Sequence, residues 1–179
     1  GRTVAMKVLK AERASSKMFK RFLHEMRATA ALEHPGIVPI YDADILPDGR
    51  PFYTMKKIDG ITLSTRLQEG WAETTFRPSV GLLHRTSQAV AYAHEHHVIH
   101  QDLKPSNIML GPFGELRVLD WGLVWRDTFL GEVRGTPGYM APEQARGEEA
   151  TRAADVYSLG CILWQILTGL PPYGDRPTD

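Results

Sequence analysis

The stretch His100-Gln101-Asp102-Leu103-Lys104-Pro105-Ser106-Asn107 decides how the rest of this 179-residue sequence is interpreted. It places a carboxylate, an ammonium and an amide in one proline-containing loop, directly before a predicted strand. Nothing nearby in the sequence supplies obvious partners for these polar groups, so they fit poorly as packing alone. As a reactive loop they are coherent, because Asp102 can orient a hydroxyl, Lys104 can bind a phosphoryl group and Asn107 can bind a metal.

A further acidic residue follows on the next predicted hairpin. Strands are predicted at 108–110 and 116–119, and Asp120-Trp121-Gly122 comes directly after the second one. If these strands are antiparallel, the residue before the first and the residue after the second emerge at the same open end. Asn107 and Asp120 should then present two oxygen ligands to one point, which suits Mg²⁺ with its waters and a phosphate.

The beginning of the chain is predicted to form a strand and then an amphipathic helix. Alternation over residues 3–9 places Ala5 and Lys7 on one face, and the small Ala5 leaves room for a flat base beside the lysine. Residues 19–30 carry apolar side chains at three- and four-residue spacing, and Glu25 flanks that stripe. Taken singly, Lys7 and Glu25 would each be interpreted as solvated surface charges.

The remaining pattern predicts an α+β fold with a strand-rich half followed by a larger helical half. Strands at 37–45 and 52–55 enclose the turn Leu46-Pro47-Asp48-Gly49, whose Asp-Gly pair is typical of a hairpin. A long helix is predicted from its buried stripe between Leu82 and Ala93, ending near His97. A cleft between two such halves is where a ligand is expected to bind.

The last predicted element is a helix over residues 152–168. Thr151 is its expected N-cap, and Gly169 followed by Pro171-Pro172 supplies its stop signal. The helix is apolar nearly all round, which predicts burial inside a lobe.

Composition excludes several other classes of protein. Lys and Arg together number 21, as do Asp and Glu, so there is no basic excess for binding nucleic acid or an anionic membrane. The single Cys161 excludes an internal disulfide and Cys-rich zinc modules. No apolar run approaches the roughly 20 residues of a membrane span, so a cytoplasmic domain without a membrane segment is expected.

Taken together and in this order, these segments resemble the eukaryotic-type (Hanks-type) protein kinase family across essentially the whole chain. Lys7 matches the strand lysine of V-A-I-K, and Asp102 and Asn107 match the H-R-D-L-x-x-x-N loop. Asp120 matches the first residue of D-F-G, and Ala141-Pro142-Glu143 is the A-P-E motif intact. Lys104 and the stretch from Gly135 to Tyr139 resemble the corresponding residues of the Ser/Thr branch. The sequence as a whole is similar to those of bacterial members.

The resemblance implies an ATP- and Mg²⁺-dependent enzyme that phosphorylates Ser or Thr of protein substrates, with a bilobal fold. Lys7, held by Glu25, would bind the α- and β-phosphates, and Asp102 would accept the substrate hydroxyl proton. The catalytic residues that it implies are Lys7, Glu25, Asp102, Lys104 and Asn107. The metal ligands that it implies are Asn107 and Asp120.

The resemblance also implies a nucleotide site between the lobes. Residues 1–55 would form the N-lobe part, 56–60 the hinge and 61–179 the C-lobe part. Met55 would be the gatekeeper, while Ala5 and Met109 would sandwich the adenine. The cofactor-binding residues implied are Ala5, Lys7, Met55, Lys56, Lys57, Ile58, Met109 and Asp120.

Two alternatives stand beside an active kinase. The chain could be a pseudokinase that serves as a binding or scaffold module. The intact set of Lys7, Glu25, Asp102, Asn107 and Asp120 argues against this. The sequence also lacks the family's Gly-rich loop and final helices, so it is expected to be truncated at both ends and inactive when isolated.

Three positions depart from the family pattern. Gln101 replaces the Arg of H-R-D, Trp121 replaces the Phe of D-F-G, and Thr29 stands where the family prefers an aliphatic residue. In the family, that Arg binds a phosphate on the activation loop, the segment in which Thr128 would lie. Because Gln101 offers no positive charge to such a phosphate, activity is expected to be largely independent of phosphorylation at Thr128. The buried Asp that braces the catalytic loop in the family corresponds to Asp155.

Overall fold

The computed structural model describes residues 1–10, 16–70, 76–121 and 135–173, without the side chains of residues 16–17 and 76–79. The strands in these ranges are β1 (Val4–Val8), β2 (Ile40–Ile45), β3 (Pro51–Lys56), β4 (Ile61–Thr62), β5 (Ile108–Leu110) and β6 (Leu116–Val118). The helices in these ranges are α1 (Ser16–Ala30), α2 (Leu63–Gln68), α3 (Phe76–Glu95), α4 (Pro142–Ala145) and α5 (Arg152–Thr168).

The first lobe contains a three-stranded antiparallel sheet in the order β1-β3-β2. Its β2–β3 hairpin confirms the predicted turn. Leu46 donates its N–H to the Arg50 carbonyl over 2.8 Å, and Gly49 has a φ of 85°, a conformation that favours glycine. The Asp-Gly pair therefore closes the hairpin as its chemistry predicts.

The strand β2 begins three residues later than the sequence predicted. Ile37 is buried, and instead of joining β2 it forms a parallel bridge with Val118 of the second lobe. Val118 donates its N–H to the Gly36 carbonyl over 2.7 Å. This segment therefore links the lobes rather than extending the first sheet.

A small core holds α1 against the first sheet. Leu9, Phe22 and Tyr53 are its buried members, and the rings of Phe22 and Tyr53 lie 5.2 Å apart. Tyr53 belongs to β3, the central strand, so α1 packs over the middle of the sheet. Burying a large apolar side chain contributes roughly 1.5–3 kcal/mol, so Phe22 helps to hold this helix on the sheet.

The second lobe is built around α3 and α5. The core there combines Ala89, Val90 and Ala93 of α3 with Ile162 and Ile166 of α5, all buried. The helix α3 ends at Glu95, two residues before the predicted end.

The helix α5 begins and ends where the sequence predicted. Thr151 caps it by accepting the N–H of Ala153, and Gly169 closes it with a left-handed φ of 74°. The predicted burial on all sides is wrong, because Trp164 is 53% exposed and Val156 and Leu167 are exposed on the same helix. The apolar composition predicted that the helix is buried, but it could not predict which face stays exposed among the described residues.

The second lobe also contains a three-stranded sheet, in the order β4-β5-β6. Its β5–β6 hairpin confirms the predicted antiparallel pair, whereas the two-residue β4 was not predicted. Gly60 is the residue directly before β4, and it lies close to β5. A Cβ on Gly60 would lie 2.0 Å from the Leu110 carbonyl oxygen. The predicted α+β, two-lobed fold is confirmed. Among the described residues, no helix combines the length and apolar character that crossing a bilayer requires.

Candidate active site

The Asp102 carboxylate lies in a three-way contact with Lys104 and Thr136. Lys104 Nζ donates to Asp102 Oδ2 over 2.8 Å, and Thr136 Oγ1 donates to Asp102 Oδ1 over 2.6 Å. Lys104 Nζ also lies 2.6 Å from Thr136 Oγ1. The carboxylate thus lies beside an ammonium group and a hydroxyl group. These are the neighbours that it would need for acid–base chemistry on an alcohol. The sequence placed Thr136 only in a partner-positioning run, and its contact with Asp102 was missed.

Asp155 of α5 holds the backbone of this loop from beneath. Its fully buried carboxylate accepts the N–H groups of His100 and Gln101, each over 2.8 Å. His94 Nε2 lies 2.7 Å from the same carboxylate. Gln101 needs this support because its φ is 64°, a left-handed conformation that costs a non-glycine residue about 1–2 kcal/mol. The predicted bracing role of Asp155 is confirmed by these contacts.

His100 connects the loop to the strand end that carries Asp120. Its Nδ1 accepts the N–H of Asp102 over 3.3 Å, and its Nε2 lies 2.9 Å from the Leu119 carbonyl oxygen. The ring of Trp121 is fully buried and packs on His100 with 4.8 Å between centroids. Trp121 therefore fills an apolar slot, and its Nε1 finds a partner in the Val118 carbonyl at 3.2 Å.

Lys7 joins the two lobes through carboxylates on both sides. Its ammonium pairs with Glu25 Oε1 on α1 and donates to Asp120 Oδ1 over 2.8 Å. Burial of the ammonium disfavours its charge, but Glu25 and Asp120 outweigh that effect and raise the pKa of Lys7. The predicted pairing of Lys7 with Glu25 is confirmed, and the lysine remains charged at neutral pH.

Asn107 and Asp120 flank the same end of the β5–β6 hairpin. Leu119 donates its N–H to the Asn107 carbonyl over 2.8 Å, which ties the two ends of the hairpin together. The Asn107 Nδ2 donates to the Asp102 carbonyl over 2.9 Å, so the amide oxygen points away from that carbonyl. Asp120 has a left-handed φ of 57° and a half-exposed side chain. An amide oxygen and a carboxylate are donors that fit a hard divalent cation.

The residues implied for base binding divide into two groups. Ala5 faces Met55 across the β1–β3 pair, and Met109 lies in β5 opposite β4. The hinge lysines behave differently, because Lys56 pairs its side chain with Glu115 and Lys57 pairs with Asp59. Their ammonium groups thus already have carboxylate partners.

The A-P-E segment is braced on the catalytic loop. Gln144 Nε2 donates to the Gln101 carbonyl over 2.7 Å, and Gln144 Oε1 accepts the N–H of Ala141 over 3.1 Å. Gly135 has a φ of 111° and lies where a Cβ would approach the Gln101 carbonyl to 3.2 Å. The polar, buried Gln144 is a site residue that the sequence did not single out.

The two-lobed α+β fold thus brings Lys7 of the first lobe into contact with Asp120 of the second. The family model of the protein kinase domain matches residues 1–179, and the chain belongs to that family. The predicted family is confirmed.

The relatives are bacterial serine/threonine-protein kinases. The chain is similar to the serine/threonine-protein kinase PknB of Mycolicibacterium smegmatis, with 39% identity over 98% of this chain and 30% of that protein. It is also similar to the serine/threonine-protein kinase PknD of Chlamydia caviae, with 35% identity over 96% of this chain and 22% of that protein. The chain thus spans less than a third of the length of these relatives.

Proposed function

We propose that this chain is the catalytic region of an enzyme that transfers the γ-phosphate of ATP to Ser or Thr of a protein substrate. The observation that carries the proposal is the contact of Asp102 with both Lys104 and Thr136. Asp102 Oδ1 accepts a hydrogen bond from the hydroxyl of Thr136. The same carboxylate would accept the proton of a substrate hydroxyl. The relatives named above are serine/threonine-protein kinases, which supports the same conclusion.

The residues of the chain divide the work of positioning and charge neutralisation. Asp102 would orient the incoming hydroxyl and accept its proton, while Lys104 would neutralise charge on the transferred phosphoryl group. The catalytic loop stays in place because Asp155 and Gln144 hold its backbone. The chemistry therefore depends on a rigid loop rather than on covalent participation of the protein.

The nucleotide and its cation would occupy the cleft between the lobes. Lys7, aligned by Glu25, would bind the α- and β-phosphates, and Asn107 and Asp120 would hold Mg²⁺. When bound, Mg²⁺ supplies charge neutralisation on the phosphate oxygens. The donor set of Asn107 and Asp120 supports this assignment because it consists of hard oxygen ligands.

The adenine would lie against apolar surface from both lobes. Ala5 and Met109 would cover its faces, with Met55 behind it. Because Lys56 and Lys57 pair their side chains with carboxylates, the stretch from Lys56 to Ile58 would contact the base through its backbone.

The test compares the full-length protein with its Asp102→Asn variant. Phosphate incorporation into a generic protein substrate should fall by about two to four orders of magnitude, because the proton acceptor is lost. Binding of ADP, measured by calorimetry, should stay within a few-fold of wild type.

The matched control is Asp44→Asn, the same change at an exposed residue of β2. It should leave both quantities unchanged. Equal phosphorylation rates for Asp102→Asn and wild type would refute the assignment of the base. ADP binding by a wild type without phosphate transfer would instead favour a scaffold module.

A further inference from the structure

The hydroxyl of Tyr53 makes a contact that the roles above do not use. Tyr53 lies on β3, the central strand of the first sheet, and is only 3% exposed. Its Oη donates to Glu25 Oε1 over 2.6 Å, across 28 positions of sequence. The hydroxyl is thus directed from the sheet onto the carboxylate of α1.

The Glu25 oxygen that Tyr53 contacts is the one that pairs with Lys7. The ring of Tyr53 also lies beside the lysine, with 6.0 Å between its centroid and Lys7 Nζ. Tyr53 therefore contacts the Lys7–Glu25 pair from the side of the sheet and approaches both partners.

The hydroxyl is not required by packing. The ring of Tyr53 packs against Phe22 at 5.2 Å, and a phenylalanine would fill the same space. Burial and then the neighbouring Glu25 carboxylate raise the pKa of the Tyr53 phenol far above its ordinary value. The phenol therefore stays protonated and donates its hydrogen bond throughout the neutral range.

We propose that Tyr53 is a positioning residue that fixes the Glu25 carboxylate and thereby keeps Lys7 aligned for phosphate binding. The inference rests on the proposed function, in which Asp120 is needed as a metal ligand. The contact of Lys7 with Asp120 then no longer holds the lysine, and Glu25 must hold it alone. A second anchor on Glu25, independent of Asp120, preserves the alignment.

The first test is Tyr53→Phe in the full-length protein. Loss of one hydrogen bond to a charged group should lower kcat/KM for ATP about tenfold, through KM for ATP as well as kcat. The matched control is Tyr92→Phe on α3, whose ring packs against His34 and His96 in the second lobe. The control should retain the wild-type rate.

A double-mutant cycle separates positioning from a general effect on the fold. Tyr53→Phe is combined with Glu25→Ala, and two quantities are measured that need no turnover. These are the affinity for ADP by calorimetry and the hydrogen exchange of α1 amides in the ligand-free protein. Tyr53→Phe should weaken ADP binding several-fold and speed α1 exchange when Glu25 is present, and should change neither when Glu25 is alanine.

Two results would overturn the inference. One is a Tyr53→Phe protein whose kcat/KM, ADP affinity and α1 exchange all remain within twofold of wild type. The other is an equal effect of Tyr53→Phe with and without Glu25, which would show that the hydroxyl acts on folding alone. Absence of phosphate transfer by the wild type would refute the proposed function, while the exchange cycle would still decide the role of Tyr53.

Discussion

Replacing Asp155 by Asn tests whether the catalytic loop is held from beneath. The carboxylate is fully buried and accepts the N–H groups of His100 and Gln101, with His94 Nε2 at 2.7 Å. Asparagine keeps the size of the side chain but turns one of its two oxygens into an N–H donor. Whichever way the amide turns, at least one N–H of the loop then faces another donor.

The size of the effect follows from these contacts. A hydrogen bond to a charged group contributes about 1.5–3 kcal/mol, and a buried donor left without a partner costs about 1–3 kcal/mol. We expect the free energy of unfolding to fall by about 3–5 kcal/mol. Gln101, whose φ of 64° is held by the same carboxylate, should relax and displace Asp102. Phosphate transfer should therefore fall at least tenfold even where the variant is fully folded.

The measurements are urea unfolding followed by circular dichroism and phosphate incorporation by the full-length protein. Asp44→Asn serves again as the control, because Asp44 is exposed on β2. An Asp155→Asn variant with a stability change below about 0.5 kcal/mol and a wild-type rate would refute the reasoning, because changes of that size are typical of surface substitutions.

Two further predictions concern Gly60 in the hinge and Thr128 in the activation loop. Gly60→Ala should lower the melting temperature by several degrees, because its Cβ would meet the Leu110 carbonyl at 2.0 Å. Gly81→Ala on α3, where nothing lies within 4 Å, should be neutral or slightly stabilising in the same thermal scan. Thr128→Ala, at a residue outside the described ranges, should leave the phosphorylation rate within a few-fold of wild type because Gln101 carries no charge for a loop phosphate. A loss of a hundredfold or more that Thr128→Glu restores would contradict that expectation.

Local signals in the sequence were enough for the elements with strong boundaries. Thr151 and Gly169 defined α5 because capping and left-handed closure involve only neighbouring backbone groups. The Asp-Gly pair at 48–49 defined the β2–β3 hairpin for the same reason. Boundaries without such signals differ from the prediction. The strand β2 begins three residues late because Ile37 forms a bridge with Val118 instead.

The site residues divide along the same line. Asp102, Asn107 and Asp120 could be assigned roles from the sequence because their types and spacing within two short segments already fit one reaction. The Lys7–Glu25 pair needed the family resemblance, since a strand lysine and a helix glutamate are common surface residues. The pairing itself is a contact across 18 positions that only the packing of α1 on the first sheet creates.

The sequence by itself determined the types and order of the reactive groups, and with them the family. The tertiary structure decided which groups touch: Tyr53 with Glu25, Thr136 with Asp102, and Asp155 with the loop backbone. It also decided that one face of α5 is exposed although the helix is apolar nearly all round. The physical reason is that capping, turns and periodicity act within a few residues, whereas these contacts join groups 28, 34 and 55 positions apart, brought together only by packing.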